Sequence, residues 1–295
     1  MPNRIVFIAS LGHSGSTVLD LALGTHPQMA GLGEFGRFLS DGMYEKEKFD
    51  PTTRCSCGNA VAECPFWGPL REDLLRHENL SAKHAYRTVL RAFDAHFGKD
   101  TILVDSSKMP KYLEYMARIP DVDLRVLFLL RDVRSWSLSV SAIRRHKARG
   151  LNGDSKRAHP LRRMMNYPRH TRTALFLEWR RENERLRAQI VRQGLSFFQL
   201  GYEELALCPE RMLPLIYEFL DVDPSQGTVA LTHSRSHCVL GNRMRTDPRK
   251  RQRIMYDNRW FQNNAWLLPW LLLPGCRRFN REEVYRNSAA NLWTS

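Results

Sequence analysis

Short apolar runs of strand length alternate along this chain with longer stretches of helical periodicity. Residues 4–9 (RIVFIA), 101–105 (TILVD), 125–130 (RVLFLL) and 195–200 (LSFFQL) are of the first kind. Residues 81–97, 133–143, 171–193 and 209–220 space their apolar positions as amphipathic helices do, and 18–23 reads as a short helix after the first run. Near-continuous apolar strands separated by helices predict an α/β class fold, with a central, mostly parallel sheet and helices on both faces. Without an internal repeat, the 295 residues read as a single domain, with a basic insertion about 144–170 and a C-terminal extension about 255–295.

The first apolar run flows into Gly12, His13, Ser14, Gly15, Ser16 and Thr17, a small turn ahead of the short helix. Strand, loop and helix in this order build a phosphate cradle, because orphan amides and the helix dipole favour an anion at the helix start. The nucleoside-triphosphate pattern G-x-x-x-x-G-K-[ST] fails twice here: Ser16 stands in the lysine slot and Ser10 in place of the first glycine. The alternative reading of the hexapeptide alone is an ordinary capped strand-to-helix turn.

Charge changes the picture next. Forty-five Lys and Arg against 31 Asp and Glu leave a net +14, which calls for an anionic partner: nucleotide, acidic glycan, nucleic acid or membrane surface. Two basic stretches, 144–163 with eight Lys or Arg and 243–253 with six, read singly as solvated loops; beside a phosphate loop they point to anion contact. No window reaches the 18 apolar residues of a membrane helix. The run 266–274 is broken by Pro269 and Pro274; it reads as a packed C-terminal element, with interfacial membrane contact as the alternative. The N-terminal run lacks a cleavage site, so the expected compartment is the cytoplasm.

Cys55, Cys57 and Cys64 cluster, and C-x-C with a third Cys can supply zinc thiolates, with His77 or His84 as a fourth ligand. Reduced, buried structural thiols are the preferred expectation over zinc.

Ligands of open parallel sheets bind beyond the carboxyl ends of the strands. If the strands are neighbours, residues 13–17, Asp105-Ser106-Ser107-Lys108 and Arg131-Asp132-Val133-Arg134 converge there. A crevice of hydroxyls, two arginines and a lysine suits a ligand with more than one anionic group.

With these motifs placed, the chain resembles the sulfotransferases that use 3'-phosphoadenosine 5'-phosphosulfate, in a bacterial form with motifs similar to the protein-tyrosine sulfotransferase branch. In that family a first-strand loop of the type [RK]-S-G-T-T binds the 5'-phosphosulfate, which Gly12, His13, Ser14, Gly15, Ser16 and Thr17 match. A later strand ends in Arg with Ser eight residues on, binding the 3'-phosphate, and Arg131 and Ser139 hold that spacing. Eight residues are close to two helical turns, and a guanidinium with a hydroxyl suits a phosphate dianion. Thr25-His26-Pro27 and Gly31-Leu32-Gly33-Glu34 resemble the tyrosine branch, where a Glu 21 residues after the loop's basic position is the catalytic base; here that is Glu34. The resemblance makes Lys108 a second catalytic cation. It puts His13 in the place of the family's Lys or Arg, where raised basicity between phosphates would let it do the same work; the alternative is that Lys108 carries that work and His13 only shapes the loop. His237 to Arg245 resembles the bacterial H-x-x-x-G-N-x-M-R, which makes Arg243 and Arg245 weaker candidates for the 3'-phosphate, and Gly201 to Leu205 resembles a recurrent structural turn. The Cys55 to Trp67 pattern is similar to bacterial members too.

The resemblance implies a P-loop-like three-layer sandwich, in-line transfer to an acceptor hydroxyl or less readily an amine, no metal requirement and no nucleic-acid partner. The acceptor class (small molecule, glycan, lipid or peptide) and the oligomeric state stay unassigned. Two rivals remain: a P-loop kinase or nucleotide hydrolase, with Asp105 as its magnesium carboxylate, and a non-catalytic polyanion-binding protein using the basic stretches.

Overall fold

A computed structural model describes residues 3–37, 50–76, 82–148 and 171–289. Most of the basic insertion expected at 144–170, the last residues of the C-terminal extension and His77 lie outside these.

The sheet has five parallel strands in the order β2-β3-β1-β4-β5: β1 Asn3–Ser10, β2 Met29–Gly31, β3 Ile102–Lys108, β4 Val122–Leu130 and β5 Phe197–Gly201. The four expected strands are present and parallel. The fifth, β2, has three residues, too few for an apolar run to announce it. Helices α1 Ser16–Leu23, α2 Trp67–Arg76, α3 Ala82–Phe97, α4 Pro110–Ala117, α5 Val133–Ala148, α6 Arg172–Arg192, α7 Tyr202–Leu207 and α8 Pro209–Phe219 follow in chain order.

Alternation along β1 sends its side chains to two cores. Val6 and Ile8 pack with α1 and α8 residues such as Leu19, Leu23, Leu213 and Ile216. Phe7 and Ala9 pack on the other face with α4, α5 and α6 through Leu113, Trp136, Phe176 and Trp179. A third core, around Trp67, Tyr86, Phe93 and Leu103, carries α2 and α3 at the β2–β3 end. Both faces are covered, as the strand pattern requires.

The β1–β3 register holds from Ile5↔Leu103 to Phe7↔Asp105 and then shifts, so that Ala9 pairs with Lys108. One extra residue in β3 makes a bulge between Asp105 and Lys108, the device that re-aims a strand end. Lys108 takes a left-handed φ of 67° there.

The C-terminal run differs from its expectation. Two short helices, α9 Leu267–Leu272 and α10 Pro274–Phe279, bury Pro269 and Cys276 but leave Leu268, Leu271 and Leu272 more than 60% exposed. Pro274 separates the two helices, α10 runs on into a π-helical stretch at Asn280–Val284, and only one side of each helix reaches the α6 core. No helix among the described residues is long and apolar enough to cross a membrane.

Candidate active site

The ends of β1, β3 and β4 open into one cavity of about 1140 Å³. Its walls include Gly12, His13, Gly15, Ser16 and Thr17 after β1, Glu34 after β2, Lys108 at the end of β3, and Arg131 and Ser139 after β4. Of the opening turn only Ser14 stays out of the wall; it is buried, and its amide bonds Leu11 O at 3.3 Å.

The turn is built to offer amides. Gly15 N-caps α1 with φ 96° and no side-chain cap, so the first helical N–H groups keep their orphan character. A Cβ on Gly15 would stand 2.3 Å from Tyr202 Cδ2, which only glycine avoids. The carbonyls are tied back, Gly12 O by Trp136 Nε1 at 2.9 Å and His13 O by Arg131 Nη1 at 2.6 Å. His13 adopts φ 71°, so both expected catalytic cations, His13 and Lys108, sit in the left-handed region. Such backbone costs about 1–2 kcal/mol per residue without glycine and concentrates at functional sites.

Glu34 and Lys108, 74 residues apart in the chain, form a nearly buried ion pair with Nζ 2.5 Å from Oε1. Arg37 Nη1 donates to the other oxygen at 2.9 Å. Burial opposes the charge on Glu34, but Lys108 and then Arg37 outweigh it and hold the carboxyl below its usual range. The loops are braced from beneath by Asp20 of α1, fully buried, which accepts from Gly33 N at 3.2 Å and Ser106 Oγ at 2.8 Å. Burial pushes its carboxyl up to about 6.

Arg131 is already engaged. Besides His13 O, its fork meets Ser135 Oγ at 3.1 Å and the Asp257 carboxylate, while Nε is buried with no partner among the described residues. Ser135 is thus the hydroxyl nearest the guanidinium, and Ser139 lines the cavity one turn further along α5. Asp257 is held below the usual carboxylate range, to about 2, because Arg259 and Arg131 outweigh its burial.

Other sequence expectations change. Arg134 does not join the cavity: it pairs with buried Asp132 at 2.6 Å and lies over the rings of Trp260, Trp270 and Trp266. Neither Arg243 nor Arg245 lines the cavity. Arg243 is exposed, and Arg245 donates to Gly241 O at 3.4 Å, bracing the loop from outside; Gly241, Asn242 and Met244 form that wall instead. Glu203 and Glu204 are structural as expected, bonding Asp132 N at 2.9 Å and Gly201 N at 3.0 Å, but Tyr202 of the same turn faces the cavity and Arg131. Asp105, the kinase reading's magnesium carboxylate, is fully buried outside the cavity wall, and burial pushes it up to about 7. A carboxyl so placed is poorly suited to hold magnesium. Arg37, Asp257 and Arg259 were not foreseen. The cysteine cluster also differs: its fourth partner is His237, while His84 is exposed on α3.

Among solved structures, the sulfotransferase domain of the olefin synthase of Synechococcus PCC 7002 is 19% identical, with a TM-score of 0.49 over 94% of each chain. A sulfotransferase from Alicyclobacillus acidocaldarius is 18% identical with a TM-score of 0.41, over 76% of this chain and 82% of that one. Sulfotransferase STF1 from Mycobacterium tuberculosis H37Rv is 16% identical with a TM-score of 0.46, over 80% and 72%. No curated protein matches. The family model described as "Sulfotransferase family" matches residues 5–226, from the first strand to beyond the fifth, and on that match the chain belongs to the sulfotransferase family.

Proposed function

We propose that the chain moves a sulfuryl group from 3'-phosphoadenosine 5'-phosphosulfate to an acceptor hydroxyl, or less readily an amine, in an in-line transfer. The observation that carries this reading is the meeting, in one cavity, of the uncapped amide turn at 12–17, the Arg131–Ser139 pair and the Glu34–Lys108 ion pair. The residues fit such a donor at both ends. Orphan amides and the hydroxyls of Ser16 and Thr17 suit a phosphosulfate, and the Arg131 fork, with its unpartnered buried Nε, suits a 3'-phosphate dianion.

The donor supplies a leaving group clamped at two points, so positioning and electrostatics are the protein's main work. Glu34 takes the acceptor proton. In its pair with Lys108 it is a weak base; a phosphosulfate drawing Lys108 to itself raises its basicity where the proton is released. His13 and Lys108 stabilise charge growing on the bridging oxygen. The acceptor enters past Arg37, Arg185 and Gln189, which share the wall, and the compartment is the cytoplasm.

Calorimetric titration tests the reading. 3',5'-Adenosine bisphosphate binds about 10- to 100-fold tighter than ADP without added metal, the worth of one or two charge-assisted hydrogen bonds. Preference for ATP with magnesium would install the kinase reading in its place. Steep salt dependence with indifference to the 3'-phosphate would install the polyanion-binding one.

A related prediction concerns Asp257, whose carboxylate shares Arg131 with the proposed phosphate. Asp257→Asn removes a like charge beside the dianion and tightens bisphosphate binding by about 3- to 30-fold, with ADP unchanged. Weaker bisphosphate binding in the variant would mean that Asp257 orients Arg131 and does not compete for it.

A further inference from the structure

Cys55, Cys57, Cys64 and His237 bring three sulfurs and one ring nitrogen within 4.8 Å of one another, outside the transfer site. From Cys64 Sγ the distances are 3.8 Å to Cys55 Sγ, 3.8 Å to Cys57 Sγ and 3.1 Å to His237 Nδ1, and Cys55 Sγ stands 3.8 Å from the same nitrogen. Ligands on a tetrahedron around zinc, with Zn–S of about 2.3 Å and Zn–N of about 2.0–2.1 Å, stand roughly 3.5–3.8 Å apart. Both sulfur–sulfur edges at Cys64 fall at 3.8 Å, the tetrahedral value, while the nitrogen stands 3.1 Å from Cys64 Sγ and 3.8 Å from Cys55 Sγ, on either side of it.

The surroundings are those of a metal centre. Gly58, at φ 101°, closes a tight turn in which its amide meets Cys55 O at 3.1 Å and Cys55 N meets Asn59 O at 2.9 Å; both cysteines of the C-x-C thereby face one point. Trp67 N donates toward Cys64 Sγ at 3.4 Å, an outer contact that fixes the direction of the sulfur. His237 is fixed by its backbone, N to Gly31 O at 2.7 Å and O to Trp67 Nε1 at 2.6 Å, within an apolar shell that includes Phe66 and Phe97. Packing alone does not account for three sulfurs and a ring nitrogen converging on one point; apolar side chains would fill that space without the desolvation cost.

We propose that these four residues form a structural zinc site, closed by four protein ligands and without an open position for chemistry. The ligands come from two distant parts of the chain, 55–64 and 237, and the metal staples them together. Its neighbours show what the staple holds. Ser56 Oγ meets Ser236 O at 2.5 Å and Cys238 N at 2.8 Å, and Asn242 N, five residues beyond His237, meets Thr17 Oγ1 at 3.2 Å. The zinc therefore secures the 237–242 segment against the helix that carries the anion turn. This gives His237, and the Cys55 to Trp67 pattern, a function that transfer chemistry does not require.

The test is elemental analysis of the full chain, purified under reducing conditions, with anaerobic exchange for cobalt(II). About one zinc per chain is expected, and cobalt gives the thiolate charge-transfer and tetrahedral d–d absorption of a sulfur-rich site. Cys57→Ser, at the exposed ligand, drops zinc content to near none and lowers Tm by at least about 5 °C. Cys208→Ser, at an exposed cysteine outside the cluster, leaves both unchanged. Absence of zinc together with no cobalt spectrum overturns the proposal. So does equal zinc in native protein and Cys57→Ser, or a disulfide among Cys55, Cys57 and Cys64 in reduced preparations. If Cys57→Ser does not fold, the cobalt spectrum of the native chain decides alone. None of these readouts depends on the proposed donor or acceptor.

Discussion

Replacing Glu34 with glutamine lowers turnover by about 10²–10⁴-fold and leaves the affinity for 3',5'-adenosine bisphosphate within about threefold. The amide keeps the shape of the side chain and a hydrogen bond to Lys108 or Arg37, yet accepts no proton. Burial opposes the native carboxylate, while Lys108 and Arg37 hold it below the ordinary glutamate value of 4.5, so it is ionised across the neutral range. The acid limb of kcat/KM therefore lies below that value in the native enzyme and disappears in Glu34→Gln. The sign for stability follows from the same lowering. The pair stabilises the fold above the ordinary glutamate range, and that contribution is lost as pH falls through the lowered value. Glu34→Gln thus also costs about 1–3 kcal/mol at neutral pH, because Lys108, 15% exposed, loses its counter-charge. Thermal unfolding and bisphosphate titration of the same preparation separate this from chemistry. Unchanged turnover would remove Glu34 as the base, whereas parallel loss of turnover and bisphosphate affinity would make it a support of the donor site.

Local pattern carried much of this into the sequence. The four longer strands announce themselves because each is apolar on both faces, and the anion turn follows from glycines and hydroxyls between a strand and a helix. Arg131 and Ser139 came from the family resemblance, a strand-end Arg with Ser eight residues on; Arg131 follows β4 and Ser139 stands on α5. What escaped depends on residues that only folding brings together. The Glu34–Lys108 pair spans 74 residues and hangs on the β3 bulge, which no periodicity marks. Asp257 meets Arg131 across 126 residues, from a loop region without a motif. His237 lies 173 residues from Cys64, so a search near the cysteines offered His77 and His84 in its place. Arg134 misleads for a different reason. Its position after β4 suggests the cavity, but the helix that starts at Val133 turns it toward buried Asp132 and three tryptophans, where desolvation makes the paired guanidinium a structural element.

The Arg131 assignment makes the other large prediction. Arg131→Ala weakens 3',5'-adenosine bisphosphate by about 10²–10³-fold, the usual loss when one partner of a buried, charge-assisted pair is truncated, while ADP affinity changes by no more than about threefold. Arg131→Lys recovers only part of the loss, since a point charge replaces a planar fork that reaches the phosphate, Ser135 and His13 O together. The contrast between the nucleotides is what gives the experiment its force. Arg131 Nη1 also holds the carbonyl of His13 in the anion turn, so truncation could loosen the 5' end of the site as well. A loosened turn would weaken ADP and the bisphosphate equally. A vacated 3'-phosphate pocket weakens the bisphosphate alone. Equal losses would therefore recast Arg131 as a brace of the turn and move the search for the 3'-phosphate to Arg259, the other cavity arginine bound to Asp257. A selective loss would place the two ends of the donor, and with them the line along which Glu34 and the acceptor must meet it.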